Sequence, residues 1–268
     1  MSSVSSEPDL AGQESAEHDL PWSAWIAPPF VIAVYGLTTL LIAPLFIELV
    51  ARVYGWLRHW SVAQSNAWIN SALVVQVLYG LLAYSIVLVA LGLFLRHYHR
   101  SLADIGLKRF RGSDVLLGLM AVPVYYLFYI LLLAIVTHFV PALNVNQQQD
   151  IGFSNVRGLV PLLLTFMSLV ILPPLVEEIL MRGYLFTSLR KKLNFGLAAL
   201  ITSLIFAAGH LPEGGSSGPL WVGALDTFTL SLVLCYLRQK SGSLWASITL
   251  HAIKNGIAFM ALFILRVH

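Results

Sequence analysis

The sequence predicts an all-α fold, a polytopic transmembrane helix bundle of about seven spans with a buried polar catalytic cavity. Three observations predict it. Of the 268 residues, 58% are hydrophobic and 11% charged, with a mean hydropathy of +0.79, whereas soluble domains carry roughly 25% charged residues. Apolar stretches long enough to cross about 30 Å of hydrocarbon at 1.5 Å per residue recur along the whole chain. Ionisable side chains stand inside the last four of these stretches, where each costs about 2.5–3.5 kcal/mol and marks a candidate site.

Residues 1–20 are polar and acidic (Glu7, Asp9, Glu14, Glu17, Asp19) and hold no Lys or Arg. A secretory signal needs a basic start and an apolar core, so this segment is expected to be a disordered cytosolic tail, with residues 21–268 forming the transmembrane domain. The spans are placed near 24–50, 69–95, 115–140, 159–187, 194–211, 220–238 and 243–265. Pro173 and Pro174 interrupt the fourth; they remove backbone donors and are expected to kink or break the helix just before its charged residues.

Lys and Arg in short loops set orientation. Arg96, Arg100, Lys108, Arg109, Arg111, Arg190, Lys191, Lys192, Arg238 and Lys240 fall at one set of span ends, and Arg52, Arg58, Arg157 and Arg266 at the other. The ten-residue side belongs in the cytoplasm, and the amino terminus with it. The polar linker 144–157 is then extracytoplasmic. The sequence pI of about 9.0 reflects these topology signals and not a basic stripe, so nucleic acid is excluded as a partner. Cys235 is the only cysteine, so neither a disulfide framework nor a zinc ribbon is available. With no signal and one Cys, the expected location is a prokaryotic plasma membrane.

The fourth span carries Glu177, Glu178 and Arg182, the fifth ends at His210, the sixth holds Asp226, and the seventh holds His251, Lys254 and Asn255. Glu178 and Arg182 are i,i+4 neighbours and can pair on one face, while Glu177, about 100° further round, points elsewhere. His251 and Asn255 are also i,i+4 and share a face. Spans four and five, joined by a short basic turn, form an antiparallel hairpin pivoting between Leu193 and Asn194, which sets Glu177 and His210 at similar depth. A carboxylate and an imidazole facing each other in a partly dry cavity can deprotonate a water. His251 and Asn255 would then serve the oxyanion formed when that water attacks a carbonyl. Glu177, His210 and His251 also suit a catalytic divalent metal such as zinc, although the His-Glu-x-x-His helix is absent. Spacing leaves the metal open.

These residues resemble the CAAX prenyl protease and bacteriocin-processing family of intramembrane proteases, also called CPBP or ABI. Its three motifs stand in order: Glu-Glu-x-x-x-Arg as Glu177, Glu178 and Arg182; Phe-x-x-x-His as Phe206 and His210; His-x-x-x-Asn as His251 and Asn255. The resemblance covers about 101–255. It implies an endopeptidase, labelled a metalloprotease by some and given a metal-free glutamate mechanism by others, acting on membrane-associated or lipidated proteins or peptides. It casts Glu177 as the water-activating base, His210 as its partner, and His251 and Asn255 as oxyanion stabilisers. Met181 replaces the usual Phe before the Arg, and Asp226 with Lys254 falls outside the family pattern and reads as a structural salt bridge. The expected site opens toward the cytoplasmic half of the bilayer. The rival readings are a non-catalytic membrane binding, immunity or scaffold protein using the same pocket, and an ion-coupled transporter, against which the missing internal repeat argues.

Overall fold

The computed structural model describes residues 20–153 and 156–266, with backbone only at 216 and 217. The acidic tail expected over 1–20 therefore lies, but for Leu20, outside the described residues. The described chain is helical throughout and contains no strand. Seven helices are long and apolar enough to span a membrane: α1 (Ala24–Leu57), α3 (Leu73–His97), α4 (Gly112–Phe139), α5 (Leu159–Arg190), α6 (Phe195–Gly215), α7 (Trp221–Ser241) and α8 (Trp245–Leu265). A short helix, α2 (Val62–Ser71), separates the first two.

All seven expected spans are present, with shifted ends. The second is expected from 69, but residues 62–71 form their own helix. Ser61 and Gln64 close a capping box around its first turn, side chain to backbone in both directions, which satisfies two donors that a helix start leaves orphaned. Ala72 then turns to extended geometry (φ −79°, ψ 119°) and sends α3 off in a new direction. The break expected at Pro173 and Pro174 is absorbed instead. A wide π-helical turn, Met167–Ile171, precedes the prolines, which sit at the first positions of the α-helical stretch Leu172–Glu178. The fixed φ of proline suits the first turn of that stretch, at the cost of the hydrogen bonds their missing N–H groups would make to the turn before. A second π-helical stretch, Ile179–Phe186, follows the paired glutamates; such bulges gather at functional sites.

The inner half of α5 is the centre of the bundle. Leu180, Tyr184, Leu185, Phe186 and Leu189 are wholly buried and join one core with Val87 and Leu91 of α3, Ala27 and Val31 of α1 and Phe206 of α6. Trp22, Phe94 and Tyr184 pack closely, with ring centroids 5.1–5.7 Å apart, and the Trp22 indole donates to Ser188 Oγ at 2.8 Å. Outward-facing side chains such as Leu119, Phe128 and Leu131 of α4 stay exposed, the pattern of a lipid-facing belt and not of a soluble surface. Gly118 lets α4 close on α8: a Cβ there would stand 2.7 Å from the Ala246 carbonyl oxygen.

Contacts define two ends. At one, the basic loops interlock: Trp245 Nε1 donates to the Lys108 carbonyl at 2.7 Å, Leu244 N to the Gly106 carbonyl at 2.9 Å, and Arg190 Nε to Gln239 Oε1 at 3.0 Å. The Ser101 N–H and hydroxyl both donate to Asp104, at 2.7 and 2.8 Å, and hold its carboxyl below the usual range. At the other end, the linker after α4 is strapped to the α6–α7 connection. Gln149 Nε2 donates to Glu213 Oε2 at 2.6 Å, Asp150 N to the Glu213 carbonyl at 2.7 Å, and Gln147 Nε2 to the Pro219 carbonyl at 3.1 Å.

Candidate active site

The proline pair that shapes α5 also creates a vacancy in its hydrogen-bond ladder. The Leu169 carbonyl would accept from residue 173 in an α-helix or from residue 174 in a π-turn, and both are proline. Asn255 of α8 fills the gap: its Nδ2 donates to the Leu169 carbonyl at 3.0 Å. Because the partner is a carbonyl, this contact fixes which end of the amide is nitrogen and leaves one N–H of Asn255 for the cavity. A buried backbone carbonyl is not left unmatched in a membrane without cost. We therefore expect Asn255→Ala to destabilise the protein by on the order of 1 kcal/mol, and to cost less in a Pro173→Ala/Pro174→Ala background, where backbone donors return. Unfolding of the four chains in detergent reads this coupling.

Immediately after the prolines, the two glutamates diverge as the helical geometry requires. Glu178 is fully buried; its Oε1 accepts from Arg182 Nη1 at 2.8 Å and from His251 Nδ1 at 3.0 Å. Arg182, also fully buried, lies over the Phe206 ring at 4.6 Å from its centroid. The expected pairing of Glu178 with Arg182 is thus present, and it extends to a third group. With His251 Nδ1 occupied by a carboxylate, Nε2 is the ring nitrogen left to face Glu177, whose Oε2 stands 3.9 Å away.

Glu177 is held from spans outside the motifs. Tyr84 of α3 and Tyr35 of α1 both donate their hydroxyls to its Oε1, at 3.0 and 3.3 Å. One oxygen is anchored, and the other is turned toward the histidine. Sequence reasoning misses both tyrosines, because a phenol inside an apolar span leaves no mark in the periodicity. It misses Glu213 as well, set in what reads as a flexible glycine loop.

A cavity of about 550 Å³ lies within the bundle, lined by Glu177, His210, His251 and Asn255 among others. Two expectations need correction here. The imidazole within 4 Å of Glu177 is that of His251; His210 shares the cavity wall, but its Nδ1 is bonded to the Phe206 carbonyl of its own helix at 2.8 Å. Hairpin register fixes depth along the membrane normal and says nothing of where round the helix a side chain points. Secondly, the cavity does not lie at the end of the basic loops. Gln149, Asp150 and Gly152 of the linker line it, with Gln76, Glu213 and Leu220, all at the opposite end. Asn70 of α2 and Ser168 and Leu169 of the π-turn line it too, while Tyr184, Leu185, Phe186 and Leu189 toward the other end are wholly buried.

Lys254 and Asp226 form the expected salt bridge between α8 and α7, at 2.9 Å, and the Tyr125 hydroxyl donates to the second oxygen of Asp226. The metal reading of Glu177, His210 and His251 does not fit this arrangement: among the described residues no three His, Cys, Asp or Glu side chains converge as ligands. A metalloprotease therefore finds no support in the donor set.

Residues 159–257, which run from the start of α5 into α8 and hold all three motifs, match the family model described as type II CAAX prenyl endopeptidase Rce1-like. The UPF0177 protein YxdF of Lactococcus lactis subsp. lactis (strain IL1403) is 32% identical over 106 residues, 40% of this chain and 54% of that protein. An uncharacterized 24.3 kDa protein of Escherichia coli is 32% identical over 97 residues, 35% of this chain and 42% of its own length. The chain spans about half the length of these curated relatives. No solved structure matches. Over residues 159–257 the chain is thus a match to the same CAAX prenyl endopeptidase family that its three motifs resemble.

Proposed function

We propose that the protein is an intramembrane endopeptidase of CAAX type in which Glu177 activates water against a peptide carbonyl. The observation that carries this reading is the division of labour between the oxygens of Glu177: Oε1 takes both tyrosine hydroxyls, and Oε2 lies on the cavity beside His251 Nε2. The gap of 3.9 Å is too long for a direct hydrogen bond, yet a water beside it reaches both groups.

In the step, the water gives its proton to Glu177 while its oxygen bonds to the peptide carbon. The carbonyl electron pair moves onto oxygen, facing the remaining amide N–H of Asn255. When the tetrahedral intermediate collapses, the C–N bond breaks and the proton on Glu177 passes to the departing nitrogen, so that acid and amine leave and the carboxylate is restored. Glu178 and Arg182 do not touch the reacting atoms. They hold the His251 Nδ1–H on the Glu178 carboxylate, so that Nε2, the accepting nitrogen, faces the water. His210, which lines the same cavity with its Nδ1–H on the Phe206 carbonyl, is the second imidazole able to accept from a water there.

The test presumes no substrate: protein termini are compared in membranes from cells making the wild-type chain or Glu177→Gln at matched levels. New termini that depend on Glu177 support the reading and name the targets. Their absence across several growth conditions overturns it in favour of a binding or immunity protein that keeps the pocket. On a target so found, Tyr84→Phe is expected to lower kcat by about 10- to 100-fold with KM little changed, since a hydrogen bond to a charged group contributes about 1.5–3 kcal/mol.

A further inference from the structure

We propose that Gly80 is a specificity-determining residue, leaving beside the scissile bond a notch that takes a bulky, uncharged side chain of the substrate. The word substrate rests on the peptidase reading; the notch does not.

Glycine is a poor helix former, and inside a membrane span it is ordinarily kept where a neighbouring helix leaves no room for a side chain. Gly118 and Gly183 are of that kind. An added Cβ would stand 2.7 Å from the Ala246 carbonyl oxygen in the first case, and 3.2 Å from Ile105 and Leu244 in the second. Gly80, in the interior of α3, is different: a Cβ there would meet nothing within 4 Å. Gly36 and Gly92 share that freedom, but of these three Gly80 alone lines the cavity. Its missing side chain relieves no clash and leaves cavity volume free.

The level of the notch follows from one hydrogen bond. α3 packs against the 172–178 stretch of α5, and both helices run toward the basic loops, ending at His97 and Arg190. The Tyr84 hydroxyl donates to Glu177 Oε1 at 3.0 Å, which sets these two residues side by side. Four residues back on each helix, about 6 Å at 1.5 Å per residue, stand Gly80 and Pro173. Four further back stand Gln76 and Leu169, and all six line the cavity. The Leu169 carbonyl holds the Asn255 amide. A peptide carbonyl set between the water on Glu177 and the free N–H of Asn255 therefore lies against the Gly80–Pro173 level, and the side chain flanking it projects where Gly80 presents none. Gly80, Pro173 and Leu169 offer no polar side chain, so a charged group lodged there would lose its water without gaining a partner.

The notch is tested first without turnover. Gly80→Cys in a Cys235→Ala background and the wild-type chain are treated in detergent with benzyl methanethiosulfonate, and the mass of each is followed. Cys235 is wholly buried and serves as the slow reference. Gly80→Cys is expected to react at least 10-fold faster; equal rates overturn the notch whatever becomes of the peptidase reading. Gly80→Ala and Gly80→Leu are expected to unfold in detergent no earlier than wild type, whereas earlier unfolding of Gly80→Ala would make Gly80 a packing residue and overturn the proposal. On a target identified by its Glu177-dependent terminus, Gly80→Leu is expected to lower kcat/KM at least 30-fold when a bulky residue flanks the cleaved bond, with most of that loss recovered when the target carries alanine there. An equal loss on both targets, or none on either, overturns the proposal and leaves Glu177 in its role. Absence of Glu177-dependent termini overturns the peptidase reading, and the word substrate with it, while the thiol rates still decide whether the notch exists.

Discussion

Glu177→Gln is expected to reduce cleavage of an identified target by about 10²- to 10⁴-fold, the range that general base catalysis contributes, while leaving the protein folded. The geometry makes this substitution unusually clean. Glutamine has the same shape, and its carbonyl oxygen can take the Oε1 position and accept from Tyr35 and Tyr84 as the carboxylate does. The amide nitrogen then occupies the Oε2 position, 3.9 Å from His251 Nε2, where it can donate to a water and cannot take its proton. Glu177→Asp supplies the complementary control. It keeps the base but withdraws it by one methylene from the tyrosine anchors and the histidine, and misplacement of a reacting group by about 1 Å can cost roughly 10²-fold. Rates for the three chains, with detergent unfolding curves to show that each is folded, check the expectation. Wild-type turnover by Glu177→Gln would remove Glu177 from the chemistry.

The spans are legible in the sequence because the bilayer asks a question that composition answers directly: how long is the apolar run, and what interrupts it. The candidate catalytic residues stand out for the same reason, since Glu177, Glu178, Arg182 and His251 are costly there and something must offset the cost. Pairing along one helix is legible too, and Glu178 with Arg182 follows from i,i+4 geometry alone. What cannot be read is any property set by rotation or by divergence between helices. Tyr35 and Tyr84 come from α1 and α3, before the family-matched segment begins, and a tyrosine in an apolar run looks the same whether it faces lipid or a carboxylate. The neighbour of Glu177 is misassigned from sequence because hairpin register offers depth without azimuth. The end of the bundle at which the cavity lies is misjudged because it depends on where helices part, which no single apolar run records. The partnership of Asn255 with the Leu169 carbonyl is legible in principle: two adjacent prolines orphan a carbonyl four and five residues back, and a polar side chain must be found for it.

Removal of the Arg182 side chain is expected to be the most damaging single change to the fold. Arg182 and Glu178 are both fully buried, so Arg182→Ala would leave a carboxylate with no cation, beside a histidine that needs it in one orientation. Breaking a buried ion pair from one side costs about 3–5 kcal/mol, because the remaining charge keeps its desolvation penalty and loses its partner. The cation also lies over Phe206 at 4.6 Å, and that contact, about 2 kcal/mol when desolvated, is lost with it. Arg182→Lys restores the charge but not the planar fork that meets the carboxylate and the ring at once, so it should recover only part. The decisive comparison is Glu178→Gln/Arg182→Met, which removes both charges and keeps the volume. If the ion pair serves mainly to orient His251, the double variant unfolds in detergent much later than Arg182→Ala, yet it remains poor in catalysis because the neutral amide introduced by Glu178→Gln no longer offers a charged acceptor to the imidazole. Equal destabilisation of the single and double variants would mean instead that Arg182 holds the bundle together through its packing on Phe206, with the ion pair secondary.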